Sequence, residues 1–133
     1  LVGEIIRRFE TRGLRIVGLK MTRVDRDMAE KHYAVHKGKF FYDDLVQHIS
    51  ASPVVAMVLE GHEAIKVVRA MVGSTKPWES PPGTIRGDLA LMGLRNLIHA
   101  SDALETAATE VALWFAPNEV SDYPRDMDRW IYE

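Results

Sequence analysis

The residues best equipped for chemistry lie in one stretch, "RNLIHASDALETAATEVALWF", at positions 95–115. His99 stands there with a hydroxyl, Ser101, two residues on and a carboxylate, Glu110, further along. A histidine on a strand is more often a packed core residue than a reactive one, and its neighbours argue otherwise here. A carboxylate that touches an imidazole fixes the orientation of the ring and favours its positive form. Ser101 can bridge or polarise the pair. The arrangement is that of an oriented nucleophile, with the ring of His99 as the attacking group.

The electrophile is suggested by charge. Arg69, Arg86 and Arg95, with Thr75 and Lys76, cluster around a proline-rich segment. Guanidinium forks match phosphate oxygens bidentately. Each such contact is worth ~4 kcal/mol at ~4 Å and an effective dielectric near ~20, before desolvation is counted against it. Taken singly, any of these arginines could equally brace a loop or lie solvated. His32 and His36 stand at i and i+4, a spacing that can hold zinc, but no third ligand accompanies them in the sequence and a metal reading is set aside. Arg86-Gly87-Asp88 reads as a device that shapes the phosphate loop.

These groups need elements to position them. Val2, Ile5, Ile6 and Phe9 share one face of a helix that Gly13 ends. Residues 14–21 read as a strand. Asp25 caps a helix whose Met28, Ala29, His32 and Tyr33 lie on one side. Phe41, Leu45 and Ile49 mark another short helix. "PVVAMVL", 53–59, reads as a strand buried on both faces. A helix carrying Ile65 and Val68 stops at Gly73. Residues 95–100 read as a third strand, with His99 on the face of Leu97. Residues 103–115 form the last long helix, with Asp102 and Glu105 as a capping box and Leu104, Ala107, Ala108, Val111 and Phe115 as its buried stripe. Glu110 sits on the flank of that stripe. The segment between Gly73 and Arg95 has no period, holds Pro77, Pro81 and Pro82, and is too long for an idle loop. Strands alternating with one-faced helices point to an α/β domain in which helices cover a sheet.

Bulk properties narrow the class. The chain has 133 residues, 47% of them hydrophobic, which is one domain with a real core. A net charge of −2 gives no basic face for nucleic acid or an anionic membrane. Cysteine is absent, so thiolate chemistry and disulfides are out. The longest apolar run, Pro53–Leu59, is too short to cross a bilayer. The expectation is a soluble, cytoplasmic protein.

Taken together, "HY", "SPVVAMV", "PGTIRGD", "NLIHASD" and the terminal "WIYE" resemble the nucleoside diphosphate kinase family from Leu1 to Glu133. The resemblance implies transfer of the terminal phosphate of a nucleoside triphosphate to a nucleoside diphosphate, by a ping-pong mechanism through phosphohistidine. His99 matches the phosphorylated residue, and Ser101 and Glu110 match those that hold it. Phe41 matches the aromatic that stacks on the base, with Leu45 as its apolar neighbour. Tyr33, Arg69, Thr75 and Arg86 match phosphate contacts, and Asn96 matches a sugar-hydroxyl contact. Mg²⁺ is implied, bridging nucleotide phosphates rather than held in a protein cage. The implied fold is a ferredoxin-like sandwich with a four-stranded antiparallel sheet. The implied assembly is a homo-oligomer, a hexamer in preference to a tetramer.

The chain departs from the family pattern at Lys39, at Gly93-Leu94-Arg95-Asn96 and at Ala103. A larger departure is the first strand, with its Lys-Pro-Asp motif, which these 133 residues do not contain. The expectation is therefore a single domain, 1–133, that is incomplete at its N-terminus, with on the order of twenty residues upstream by the family pattern. A non-catalytic nucleotide-binding or assembly member of the same fold is the alternative reading.

Overall fold

The computed structural model describes residues 1–133. Helix α1 spans Val2–Thr11 and buries Ile5 and Phe9. Gly13, at φ 103°, turns the chain out of it. Strand β1 follows at Arg15–Thr22. Helix α2, Arg26–His32, begins where the carboxylate of Asp25 accepts the Met28 N–H, as its sequence position implies. Helix α3 covers Tyr42–Ser50, strand β2 Val54–Glu60 and helix α4 Ala64–Val72. Helix α5 is short, Ile85–Leu89; helix α6 is Leu104–Trp114; and helix α7 is a single turn, Asp128–Ile131.

β1 and β2 pair antiparallel, from Arg15 opposite Glu60 to Thr22 opposite Val54, with a bulge between Ile16 and Gly18. The sheet described has these two strands, and the expected four-stranded sheet is not seen in it. Consequently β2 is not buried on both faces; Val54 to Leu59 are all half-buried. Two apolar clusters flank the ribbon. The larger joins Ile5, Phe9, Leu14, Val72, Ile85 and Ala100, bringing α1, α4 and α5 together. The smaller joins Val24, Ala29 and Val46, with Tyr33, Ile49 and Trp114 packed against it. Full burial of a side chain such as Phe9 or Ile85 stabilises by about 2–3 kcal/mol.

The segment 95–100 is not a strand. Leu97 adopts φ 75°, which breaks any extended run. The carbonyls a sheet ladder would use are occupied instead by guanidinium groups: Arg86 takes those of Asn96 and Ile98, and Arg69 takes that of Ala100. The 74–94 segment, expected to lack helical structure, contains a 3₁₀ turn at Pro77–Glu79 and then α5. Thr84 caps α5 by accepting the Gly87 N–H. A Cβ on Gly87 would lie 2.2 Å from the carbonyl oxygen of Pro81, so only glycine lets the chain close there.

Helix α6 also differs from its expected form. It starts at Leu104 after Ala103, which has no side-chain acceptor, so the Asp102/Glu105 capping box is not made. Leu104 is 76% exposed and Ala108 is exposed too; Ala107, Val111 and the buried Phe115 keep to the expected stripe, and Glu110 and Trp114 lean inward beside them. The helix has turned so that Glu110 belongs to the inner face rather than its flank. Arg125 from the C-terminal segment pins the start of β1 through the carbonyls of Gly13 and Leu14, and Tyr132 donates to the Gly13 carbonyl.

Candidate active site

The site lies at the seam between the two clusters. Ala100, next to His99, belongs to the larger one; Ala29 and Trp114 bring α2 and α6 together in the smaller. His99 is half exposed, and its Nε2 lies 2.5 Å from Glu110 Oε2. Glu110 is only 15% exposed. Burial alone would raise the pKa of its carboxyl. The hydrogen bond to His99, the charge of that ring and the Ser101 hydroxyl outweigh burial and hold it below the usual carboxylate range. The opening triad of the sequence, His99, Ser101 and Glu110, is thus brought together. With Nε2 tied to the carboxylate, Nδ1 is the nitrogen of His99 left for an incoming group.

A fourth residue joins them that the sequence reading did not assign. His32, at the end of α2, is 3% exposed and meets His99 edge-on, with ring centroids 4.6 Å apart. Its Nδ1 accepts the indole N–H of Trp114 at 3.1 Å and lies 3.5 Å from Glu110 Oε2. Burial, then the charge of His99, push the pKa of His32 down to about 4. Ligand atoms of His32, His99 and Glu110 fall within 4.8 Å of one another. The His32–His36 pair considered for zinc does not form, because His36 Nδ1 turns to the Lys39 ammonium instead. The spacing of Glu110 and Trp114, one turn apart on α6, was the available signal for the indole.

The cations are placed by the 74–100 backbone. Arg86 is 4% exposed and donates to the carbonyls of Ser74, Asn96 and Ile98. Arg69 reaches the Ala100 carbonyl at 3.2 Å. Neither guanidinium has a carboxylate partner: among the ion pairs of the chain, Arg69 and Arg86 are absent. The two repel one another, and burial together with Arg69 lowers the pKa of Arg86. Two unneutralised positive charges beside a nucleophile make a site for an anion. Asn96 braces the same loop by donating from Nδ2 to the Thr75 carbonyl, which leaves its amide oxygen for another partner. Lys76, by contrast, is paired with Glu79, and Arg95 is exposed. Asp88 shapes the loop as expected, accepting the Gly83 N–H and pairing with Arg8.

The aromatic side of the site is formed by residues 33–45. Tyr33 packs against His32, and Phe41 meets Phe40 and His36 edge-on, at 5.2 and 5.4 Å between centroids. Phe41 and Leu45 are both half-buried, whereas Phe40 is 97% exposed.

Comparison with known proteins agrees with this chemistry. The family model described as nucleoside diphosphate kinase matches residues 1–120. A nucleoside diphosphate kinase of Pelotomaculum thermopropionicum is 53% identical over all 133 residues, which span 89% of that relative. The structure of a halophilic nucleoside diphosphate kinase from Halobacterium salinarum, in complex with CDP, superposes with a TM-score of 0.98 at 44% identity, covering 100% of this chain and 89% of that one. A family protein from Babesia bovis gives a TM-score of 0.96 at 45% identity, covering 99% and 89%. The chain belongs to the nucleoside diphosphate kinase family, whose enzymes move phosphate between nucleotides.

Proposed function

We propose that His99 carries the transferred phosphate. The observation that supports this most directly is the bond from His99 Nε2 to Glu110, beside two guanidinium groups with no anion of their own. In the first half-reaction the Nδ1 lone pair attacks the terminal phosphorus. A P–N bond forms, the P–O bond to the penultimate phosphate breaks, and the nucleoside diphosphate leaves with that electron pair. The proton on Nε2 stays, and Glu110 balances the positive charge that develops on the ring. The second half-reaction reverses these steps with the terminal oxygen of an acceptor diphosphate. The Ser101 hydroxyl supports the charged form of Glu110.

Phe41 stacks on the base in this reading, with Leu45 beside it; a π-face is common to every base, so the contact is tolerant. Tyr33, Arg69, Thr75 and Arg86 serve the phosphates, and Asn96 takes a sugar hydroxyl through its free amide oxygen. Mg²⁺ enters with the nucleotide as part of the substrate. The donor set fits that role: the site's carboxylate, Glu110, is already committed to His99, and no pair of acidic oxygens is offered to a hard cation. Chelation with EDTA should abolish turnover and added Mg²⁺ restore it.

The domain is single, 1–133, and acts as a homo-oligomer, with a hexamer preferred to a tetramer. Exposed Trp78, Leu91, Met92, Leu94 and Trp130 support an assembly that covers them. Light scattering that gives a monomer at micromolar concentration would refute it. The four-stranded sandwich also stays a proposal, supported by the two free edges of the β1–β2 pair. The cytoplasm is the proposed location; no helix is long and apolar enough to cross a membrane.

The test of the central claim is incubation with γ-labelled ATP. The protein should become an acid-labile, base-stable phosphoprotein, and His99→Ala should lose both label and turnover. Retained label in that variant overturns the assignment.

A further inference from the structure

The phosphoryl step as written makes no use of His32 or Trp114, although both are packed into the site. The indole N–H is a donor only, so the bond at 3.1 Å makes His32 Nδ1 an acceptor. An uncharged imidazole bears one hydrogen, which then sits on Nε2. That tautomer has a consequence for Glu110. Its Oε2 lies 3.5 Å from His32 Nδ1 and 2.5 Å from His99 Nε2. If the hydrogen of His32 were on Nδ1, a small shift would give the carboxylate a second imidazole donor, in competition with His99.

We propose that Trp114 and His32 are positioning residues: the indole N–H holds His32 in the tautomer that cannot donate to Glu110, so that the carboxylate stays committed to His99 and the Nδ1 of His99 stays free. The proposal rests on the reading of His99 as the phosphate carrier.

Several features support it. His32 is 3% exposed, so bulk water does not exchange its partners. The charged or titratable groups acting on the ring are His99, Glu110 and His36; burial, with His99 and His36 acting in the same direction, outweighs Glu110 and keeps the ring neutral. The other His32 nitrogen, Nε2, is buried without a partner, so nothing on that side rewards the hydrogen for being there. The tautomer is therefore set at Nδ1, by Trp114. The edge of His32 also abuts His99, which limits how far that ring can turn away from Glu110.

Trp114→Phe removes the donor and keeps an aromatic ring. In rapid-quench labelling at saturating ATP, phosphorylation of His99 should slow about tenfold, the size of one redirected hydrogen bond, with the KM for ATP unchanged because no nucleotide contact is altered. His32→Leu, added to Trp114→Phe, removes the rival donor and should recover part of the rate. ¹⁵N spectra of the ring nitrogens at pH 7 supply a readout that packing alone does not move: wild-type His32 should show its hydrogen on Nε2, and Trp114→Phe should shift it towards Nδ1. A wild-type spectrum with the hydrogen on Nδ1 overturns the proposal, whether or not the variants fold. So does a double variant that labels more slowly than Trp114→Phe. Wild-type protein that takes no label on His99 would instead sink the reading beneath it.

Discussion

Acidification from pH 7 to pH 5 should cost this protein stability through His32. The ring's pKa falls from 6.5 to about 4 in the folded protein, first because burial strips it of water and then because of the His99 charge. A lowered folded pKa means that below pH 6.5 the unfolded chain takes up a proton at His32 that the folded chain refuses. Stability is full above the unfolded value and declines as pH falls towards the folded one. The slope approaches ~1.4 kcal/mol per pH unit, so the loss reaches about 2 kcal/mol at pH 5 and about 3 kcal/mol at pH 4. That is a large part of a total of ~5–15 kcal/mol. The side chain is 3% exposed, so little of this is screened away. The assay is urea unfolding at both pH values for wild type and for His32→Asn, whose amide oxygen can still accept the Trp114 N–H. The wild type should lose about 2 kcal/mol more than the variant between pH 7 and 5. Parallel losses would refute the reasoning, and so would an NMR titration placing the midpoint of His32 near its ordinary value.

Other substitutions separate the chemistry from the scaffold. Glu110→Gln should lower kcat/KM by ~1–3 kcal/mol of transition-state stabilisation, since it weakens the orientation of His99 without removing the nucleophile; unchanged pre-steady-state labelling would contradict this. Arg86→Lys should lower stability by about 2–4 kcal/mol, because one ammonium cannot span the carbonyls of Ser74, Asn96 and Ile98, and thermal unfolding reads the change. Gly87→Ala should open the loop, given the 2.2 Å approach to the Pro81 carbonyl; the sign to look for is protease cleavage between residues 81 and 98 with α1 and β1 intact.

Much of the site could be read from residue types. His99, Ser101 and Glu110 converge as their chemistry suggested, and Asp25, Gly13 and Gly73 punctuate the helices where their conformations require. What misled was the 95–100 stretch. Its apolar, branched residues read as a strand, but strand formation depends on a partner, and the partners available were guanidinium groups from α4 and α5. Alternation then predicted the wrong neighbours for His99. The rotation of α6 was missed for a related reason. Ala107, Val111 and the buried Phe115 keep to the expected stripe, but Leu104 and Ala108 lie exposed, while Trp114, a large side chain outside that stripe, finds a hydrogen bond inside and draws the inner face towards it. His32 was invisible as a site residue because the element bringing it to His99 is 67 positions away, by subtraction of the two residue numbers.

The restraint on the nucleophile's loop is one-sided. Arg86 and Arg69 fix residues 96, 98 and 100 through their carbonyl oxygens, while the amides of Leu97, His99 and Ala100 donate to no backbone acceptor. Positional order and solvent isolation, which a sheet confers together, are here uncoupled. In a deuterium-exchange experiment these amides should lose protium early, at rates usual for a frayed terminus. An observer reading exchange alone would call the segment loose. Its atoms are nonetheless held, from the acceptor side, by two charged side chains that themselves belong to the site, so an anion bound to those arginines would tighten or relax the loop directly.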